Sequence, residues 1–196
     1  MTSLRHNSQP ARTPRDGYLD AARECILDVG WRRTTLTEVA RRAGVSRMTI
    51  YRAWADMPTL LGDLMTREWT DVVAAQPTSG VGADDVADGL VATVRALREN
   101  ELFVRIVELD PELLLPYLLA RRGRSQEAIA ALLAARIREG QAAGTVRAGH
   151  TDTVARALLL AAHGFVVSAQ TMVDDAVTEA DLDDELRHLV RQALAP

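Results

Sequence analysis

Arg47, Met48, Thr49, Tyr51 and Arg52 place five side chains of four kinds within six residues, and between them they can meet base edges, thymine methyls and phosphates of a nucleic-acid duplex. Arg47 can donate to a guanine edge or to a phosphate. Thr49 can hydrogen-bond a base or touch a thymine methyl, and Met48 can make only apolar contact, which a thymine methyl rewards. Tyr51 can donate its hydroxyl to a phosphate. The Ser46 hydroxyl, with the backbone N–H groups around it, can do the same, and so can Thr35. The plainer reading of these residues is the solvated face of a three-helix packing unit. The elements that hold them favour the first reading.

Thr13-Pro14-Arg15-Asp16 reads as a helix start, with Thr13 as N-cap, Pro14 in the first turn and Asp16 near the positive dipole end. The stripe Tyr18, Ala22, Cys25, Ile26 and Val29 follows helical spacing, and Gly30 ends the helix as a left-handed residue. Thr35 to Glu38 has the form of a capping box opening a second helix to about Ala43. Ser46 caps a third, short helix to about Ala53, with Ile50 and Trp54 turned inward. Asp56 caps a fourth that runs to about Ala75. Ala40 gives the small contact that two steeply crossing helices need. Gly44 permits the turn, and Val45 and Ile50 plug the angle. This is helix-turn-helix spacing, and such a unit lays the start of its third helix into the major groove.

The run Thr34-Thr35-Leu36-Thr37-Glu38-Val39-Ala40-Arg41-Arg42-Ala43-Gly44-Val45-Ser46-Arg47-Met48-Thr49-Ile50-Tyr51-Arg52, continued by Trp54 to Leu61, resembles the N-terminal signature of the TetR-type transcriptional regulators. The resemblance covers about residues 15–62. It implies a homodimer with two DNA-binding heads and a helical body that binds a small molecule. It makes Arg47, Met48 and Thr49 base readers and Tyr51 a phosphate contact. Two positions depart from the family pattern. Ala53-Trp54 stands where the family usually has His-Phe, and Met57 where it usually has a phosphate-binding Lys. Arg52, or Arg5, Arg12 and Arg15 of the N-terminal segment, could restore the lost contact.

The expected fold class is all-α: a disordered arm over 1–12, a helix-turn-helix head over 13–56 and a helical body over 57–196. A loop covers 76–82. Helices are expected at about 83–99, 101–109, 111–120 (with Pro116 awkward in the middle), 125–142, 152–173 and 179–194. The last two present Leu158, Ala162, Phe165 and Ala169, and Leu182, Leu186, Leu189 and Val190, as a dimer face for a four-helix bundle. The other reading of these residues is the core of a monomer. One head reads few base pairs, which favours a dimer on a near-palindromic DNA site. Candidate ligand-pocket residues are Met65, Trp69, Phe103, Tyr117, His163 and Phe165, each more readily read as plain core than as pocket lining. Arg105 and Glu108, three apart, read as a surface ion pair rather than a polar anchor.

Composition bounds the remaining classes. The net charge is −4, but residues 1–60 carry ten Arg against six acids, while 61–196 carry thirteen against twenty-one. A basic head on an acidic body suits a local nucleic-acid contact. Every basic residue is Arg. Cys25 is the sole cysteine, which excludes an intrachain disulfide and suits a reducing cytoplasm. No signal peptide is expected, and the unbroken apolar run 157–162 is too short to cross a bilayer, so no membrane partner is expected. There is no phosphate loop, no metal-spaced His/Cys set and no nucleophile elbow, so no enzyme, cofactor or metal site is expected. The remaining alternative is a helical interaction protein that has lost specific DNA binding.

Overall fold

The computed structural model describes residues 12–76 and 80–196. The arm expected over 1–12 therefore lies outside the described residues except for Arg12. Among those described there is no strand. The chain divides into two compact units between Leu64 and Met65.

The first unit begins with α1 (Pro14–Val29). Thr13 and Asp16 form a reciprocal capping box at its start: the Thr13 hydroxyl accepts the Asp16 N–H, and the Asp16 carboxylate accepts the Thr13 N–H. Its buried stripe is Leu19, Ala21, Ala22, Cys25 and Ile26. That stripe is rotated from the expected one, and Tyr18 and Val29 lie at its half-buried edges. Gly30 has φ 82° but ψ 164°, so it is extended on the positive side rather than left-handed helical. A short 3-10 turn, Trp31–Arg33, follows it.

Next come α2 (Leu36–Arg42), α3 (Arg47–Ala53) and α4 (Met57–Ala74). Leu36, Val39, Ala40, Ile50, Trp54 and Leu60 are buried with the α1 stripe. Burying a side chain such as Ile50 fully is worth about 1.5–3 kcal/mol. The first two turns of α4 belong to the head, which moves the boundary eight residues beyond the expected one after residue 56. The cause is packing: Leu60, Leu61 and Leu64 are all buried, and Asp63 accepts the Trp54 indole N–H at 2.8 Å.

The second unit contains α5 (Ala83–Arg98), α6 (Glu101–Leu109), α7 (Leu115–Leu119), α8 (Arg124–Ala142), α9 (Thr151–Ser168) and α10 (Glu179–Leu194). Its core draws Val86, Val91 and Val94 from α5 and Ile137 from α8, with Val154 and Leu158 from α9 and Leu186, Val190 and Leu194 from α10. The single helix expected at 111–120 is divided. Pro111–Leu113 forms a 3-10 turn, and α7 restarts so that Pro116 falls in its first turn, where a missing N–H costs nothing. Gly140 is fixed by proximity. A Cβ there would lie 2.3 Å from the Val81 carbonyl oxygen and 2.5 Å from Val146 Cγ2.

Residues 151–172, α9 with the 3-10 turn after it, are long and apolar enough to cross a bilayer by length and composition alone. Counting only the unbroken run 157–162 missed this, because the average over a helix tolerates Arg156 and His163. Val154, Ala155, Leu158 and Ala162 on this helix are buried in the unit's core, whereas Leu160, Val167 and Met172 are exposed.

Two carboxylates lock this unit from positions that hydrophobic periodicity does not flag. Asp183 on α10 is 2% exposed and accepts from Arg95 Nε at 2.5 Å and from Arg98 Nη2 at 2.7 Å, both on α5. Asp181 caps α10 with Thr178, whose hydroxyl and backbone N–H hold its carboxyl below the usual range.

Candidate nucleic-acid interface

The turn between α2 and α3 is a Schellman motif. Val45 N–H donates to the Ala40 carbonyl at 3.0 Å and Gly44 N–H to the Arg41 carbonyl at 3.3 Å, with Gly44 at φ 67°. Only a glycine takes that φ without steric cost, and the motif redirects the chain within three residues. The Ser46 hydroxyl then accepts the Thr49 N–H at 3.2 Å and lies 2.9 Å from the Thr49 hydroxyl. The cap fixes where α3 begins, and Ile50 and Trp54, 0% and 1% exposed, fix which way it faces.

That rotation leaves Ser46, Arg47, Met48, Tyr51 and Arg52 exposed and Thr49 half-buried. Met48 is 61% and Tyr51 48% exposed, an unusual display for large apolar bodies in a unit with such a full core. Thr35 is also exposed, and its hydroxyl accepts the Glu38 N–H at 3.2 Å. The expected capping box there is half made. The Glu38 carboxylate turns away to Arg41, which meets it twice, at 3.0 Å and 2.6 Å, and this pairing holds the carboxyl below its ordinary range.

The arginines of the head divide into two groups. Arg41 pairs with Glu38, Arg42 with Asp28 and Arg12 with Asp20. Arg47 and Arg52 form no ion pair among the described residues, so their charge is presented to solvent on α3. Arg15, a candidate replacement for the missing Lys, is tied instead. Its guanidinium pairs with Asp63 and lies 4.5 Å over the Trp54 ring, against which Tyr18 stands edge-on at 6.4 Å. This knot joins α1, the end of α3 and the start of α4. Sequence spacing gave no sign of it, since its members are 48 residues apart. Cys25 is buried inside this head, and burial pushes its thiol pKa up, so it packs as a small apolar residue.

The residues expected in a ligand pocket all fall in the second unit. Trp69 meets Phe103 edge-on at 6.2 Å. Met65 and Phe103 are nearly buried, and Tyr117, His163 and Phe165 half-buried. Gln126 links two of them. Its amide oxygen accepts the Gly123 N–H at 2.8 Å, which turns its NH2 toward the Tyr117 carbonyl at 3.2 Å and His163 Nε2 at 3.4 Å. His163 Nε2 must therefore accept, and burial lowers the pKa of the ring. Arg105 makes no pair with Glu108 among the described ion pairs, and its Nε is buried without a partner.

The eight residues expected at a dimer face divide by burial. Leu158, Ala162, Ala169, Leu186 and Val190 lie in the chain's own interior, at 0–6% exposure, and so are not available to a second chain. Phe165 and Leu182 are half-buried, and Leu189 is 51% exposed. Helical spacing identified the apolar helices, but an all-round apolar helix such as α9 offers two faces, and spacing alone does not say which one is inside.

A capped, outward-facing α3 behind a Schellman turn, on a three-helix head joined to a helical body, defines a DNA-binding transcriptional regulator. Residues 19–64 match the bacterial regulatory proteins of the tetR family. An HTH-type transcriptional regulator of Mycobacterium tuberculosis is 36% identical over 170 residues, 87% of this chain and 88% of the relative. AqdR of Rhodococcus erythropolis, also an HTH-type transcriptional regulator, is 38% identical over 77 residues, 37% of each chain. Among solved structures, the TetR-family repressor QsdR of R. erythropolis superposes with a TM-score of 0.71 at 17% identity, over 94% of this chain and 96% of that one. The AlkX repressor of Dietzia sp. does so at 0.67 and 18%, with the same coverage. The chain belongs to the tetR family of transcriptional regulators, which bind DNA as dimers and are not enzymes.

Proposed function

We propose that this regulator is a repressor that binds a near-palindromic duplex site as a homodimer and is released by a small molecule held in the 65–196 unit. The observation that carries the reading is the unpaired, exposed α3 face of Arg47, Met48, Tyr51 and Arg52, with Ser46 and Thr49 at its capped start. Arg47, Met48 and Thr49 read bases. Ser46, Thr35, Tyr51 and Arg52 hold phosphates. The two heads span half-sites whose centres are about 34 Å apart, or a multiple of that.

The partner protomer packs on the outer face of α9. Ala157, Leu160, Ala161, Gly164 and Val167 are exposed there at helical spacing, and Leu189 is exposed on α10. The small residues among them permit the close approach a four-helix bundle needs. This seam also gives the apolar outer side of α9 a covering other than lipid. The regulator works in the cytoplasm, where its DNA lies and Cys25 remains a thiol.

A mobility shift with the DNA upstream of the protein's own gene tests the reading. Specific binding is expected, and Arg47→Ala should weaken it by about 1–3 kcal/mol while leaving non-specific binding nearly unchanged. No shift at low salt would overturn the proposal. Equal loss on all sequences would move Arg47 from base to phosphate.

A further inference from the structure

Trp54 closes α3. Its backbone N–H donates to the Ile50 carbonyl at 2.9 Å, and the chain there is already extended, at φ −141° and ψ 129°. The side chain is buried and held on three sides. Asp63 accepts the indole N–H at 2.8 Å, the Arg15 guanidinium lies 4.5 Å over the ring, and Tyr18 meets it edge-on at 6.4 Å. Arg15 also pairs with Asp63, whose side chain is only 13% exposed, so the carboxylate that receives the indole has its counter-charge beside it. Within α3, which is seven residues long, Ile50 is the single buried side chain. The helix is therefore anchored by Ile50 and Trp54, four positions apart on one face.

Apolar burial is non-directional and leaves a two-turn helix free to roll a little over its anchors. A hydrogen bond is directional, and the one from the indole to Asp63 fixes the plane of the Trp54 ring relative to α4. A roll of about 10° carries atoms about 5–6 Å from the helix axis through about 1 Å. The distances a hydrogen bond accepts span only about 0.5 Å, so a bond from Arg47 or Thr49 to a base edge does not survive that roll. A charge facing a phosphate loses little by it, because Coulomb attraction varies gently with distance. We propose that Asp63 is a positioning residue for DNA reading: its carboxylate holds the Trp54 indole N–H and through it sets the roll of α3, so that Asp63 contributes to specificity from inside the head. The proposal rests on the reading of α3 as the base-reading helix and adds to it a residue outside that helix.

The test is a mobility shift of the full chain on the DNA upstream of its own gene and on a scrambled duplex of the same length and composition, at one salt concentration. The readout is the ratio of the two affinities, in which the folded fraction of each variant cancels. Asp63→Leu, which fills the space and offers no acceptor, should lower the ratio about tenfold, the equivalent of one base contact. Asp63→Asn keeps a carbonyl oxygen for the indole and should stay within about threefold of the unaltered chain. In the Trp54→Phe background there is no N–H to hold, and Asp63→Leu should lower the ratio by less than about threefold. Asp63→Ala takes the place of Asp63→Leu should the latter not fold. A ratio unchanged by loss of the acceptor, which is what a purely stabilising role predicts, would overturn the proposal. So would an equal loss in Asp63→Asn, or an equal loss in the Trp54→Phe background. If the unaltered chain shows no preference for its upstream DNA, the base-reading role of α3 falls and this proposal with it. If it discriminates and Asp63→Leu discriminates as well, only the role of Asp63 falls.

Discussion

Removing Asp183 tests the account of the second unit most sharply, because the sequence pattern gives that residue no special place and the structure gives it a central one. Its side chain is 3% exposed and ties two arginines of α5 to α10. The two arginines differ. Arg95 is 46% exposed, so water can replace Asp183 there, and its share is that of a surface pair, about 0–1 kcal/mol. Arg98 is 9% exposed and keeps only Glu179, 3.7 Å away, as a second counter-charge. Asp183→Ala therefore strands a nearly buried guanidinium. Breaking such a pair from one side costs about 3–5 kcal/mol, and the residual attraction of Glu179 points to the lower end, about 3 kcal/mol.

For a chain of this size that corresponds to a fall in melting temperature of roughly 6–12 °C. The assay is thermal and guanidinium unfolding of the full chain, followed by helical circular dichroism. Arg95→Ala should cost under about 1 kcal/mol. The double variant Asp183→Leu with Arg98→Met, which removes both charges and fills their space, should recover most of the loss. A loss below about 1 kcal/mol for Asp183→Ala, or a double variant no better than the single one, would refute the assignment of a desolvated charge pair between α5 and α10.

Gly44→Ala should cost about 1–2 kcal/mol of stability, because φ 67° is adverse for a side chain although no atom lies within 4 Å of the added carbon. Thermal melts measure it, and an unchanged melting temperature would contradict the turn geometry. His163 has its pKa lowered by burial, so between the folded and the ordinary value the unfolded chain binds the extra proton. Its contribution to stability is complete above the ordinary value of 6.5 and is lost as pH falls from there toward the folded value. Melting temperatures measured between about pH 8 and 5 should show this, and His163→Gln should flatten that part of the profile. Leu160→Glu places a charge on the outer face of α9, where Leu160 is 71% exposed. Sedimentation should then report a monomer of normal helicity with weakened operator binding, and an unchanged dimer would exclude this face.

The helix starts of the head and its turn at Gly44 were legible almost to the residue, because their determinants are local. Thr13, Ser46 and Asp56 each cap the helix that follows them, and such caps depend on three or four consecutive positions. The same holds for the turn at Gly44. What the sequence did not disclose lies between distant positions. The Arg15–Trp54–Asp63 knot, the Asp183 cluster and the Gln126 bridge to His163 all join residues that no periodicity relates. The inner face of α9 was illegible for another reason. Leu158 and Leu160 are equally apolar, and only the packing of α5, α8 and α10 decides that Leu158 is at 6% exposure and Leu160 at 71%.

The departures from the family pattern acquire one physical explanation from this. Trp54, standing where a Phe is usual, adds an N–H that a Phe lacks, and the head answers it with Asp63. Asp63 then draws in Arg15, which covers the indole face. An arginine that could have served the DNA backbone is thereby spent on bracing the end of α3 against α4. With Met57 unable to donate to a phosphate, the positive charge available on the described part of the reading helix comes down to Arg47 and Arg52. If α3 reads DNA as proposed, specific affinity should depend more on placing α3 accurately than on the number of arginine–phosphate contacts, and the capped turn at Gly44 and Ser46 would supply that placement.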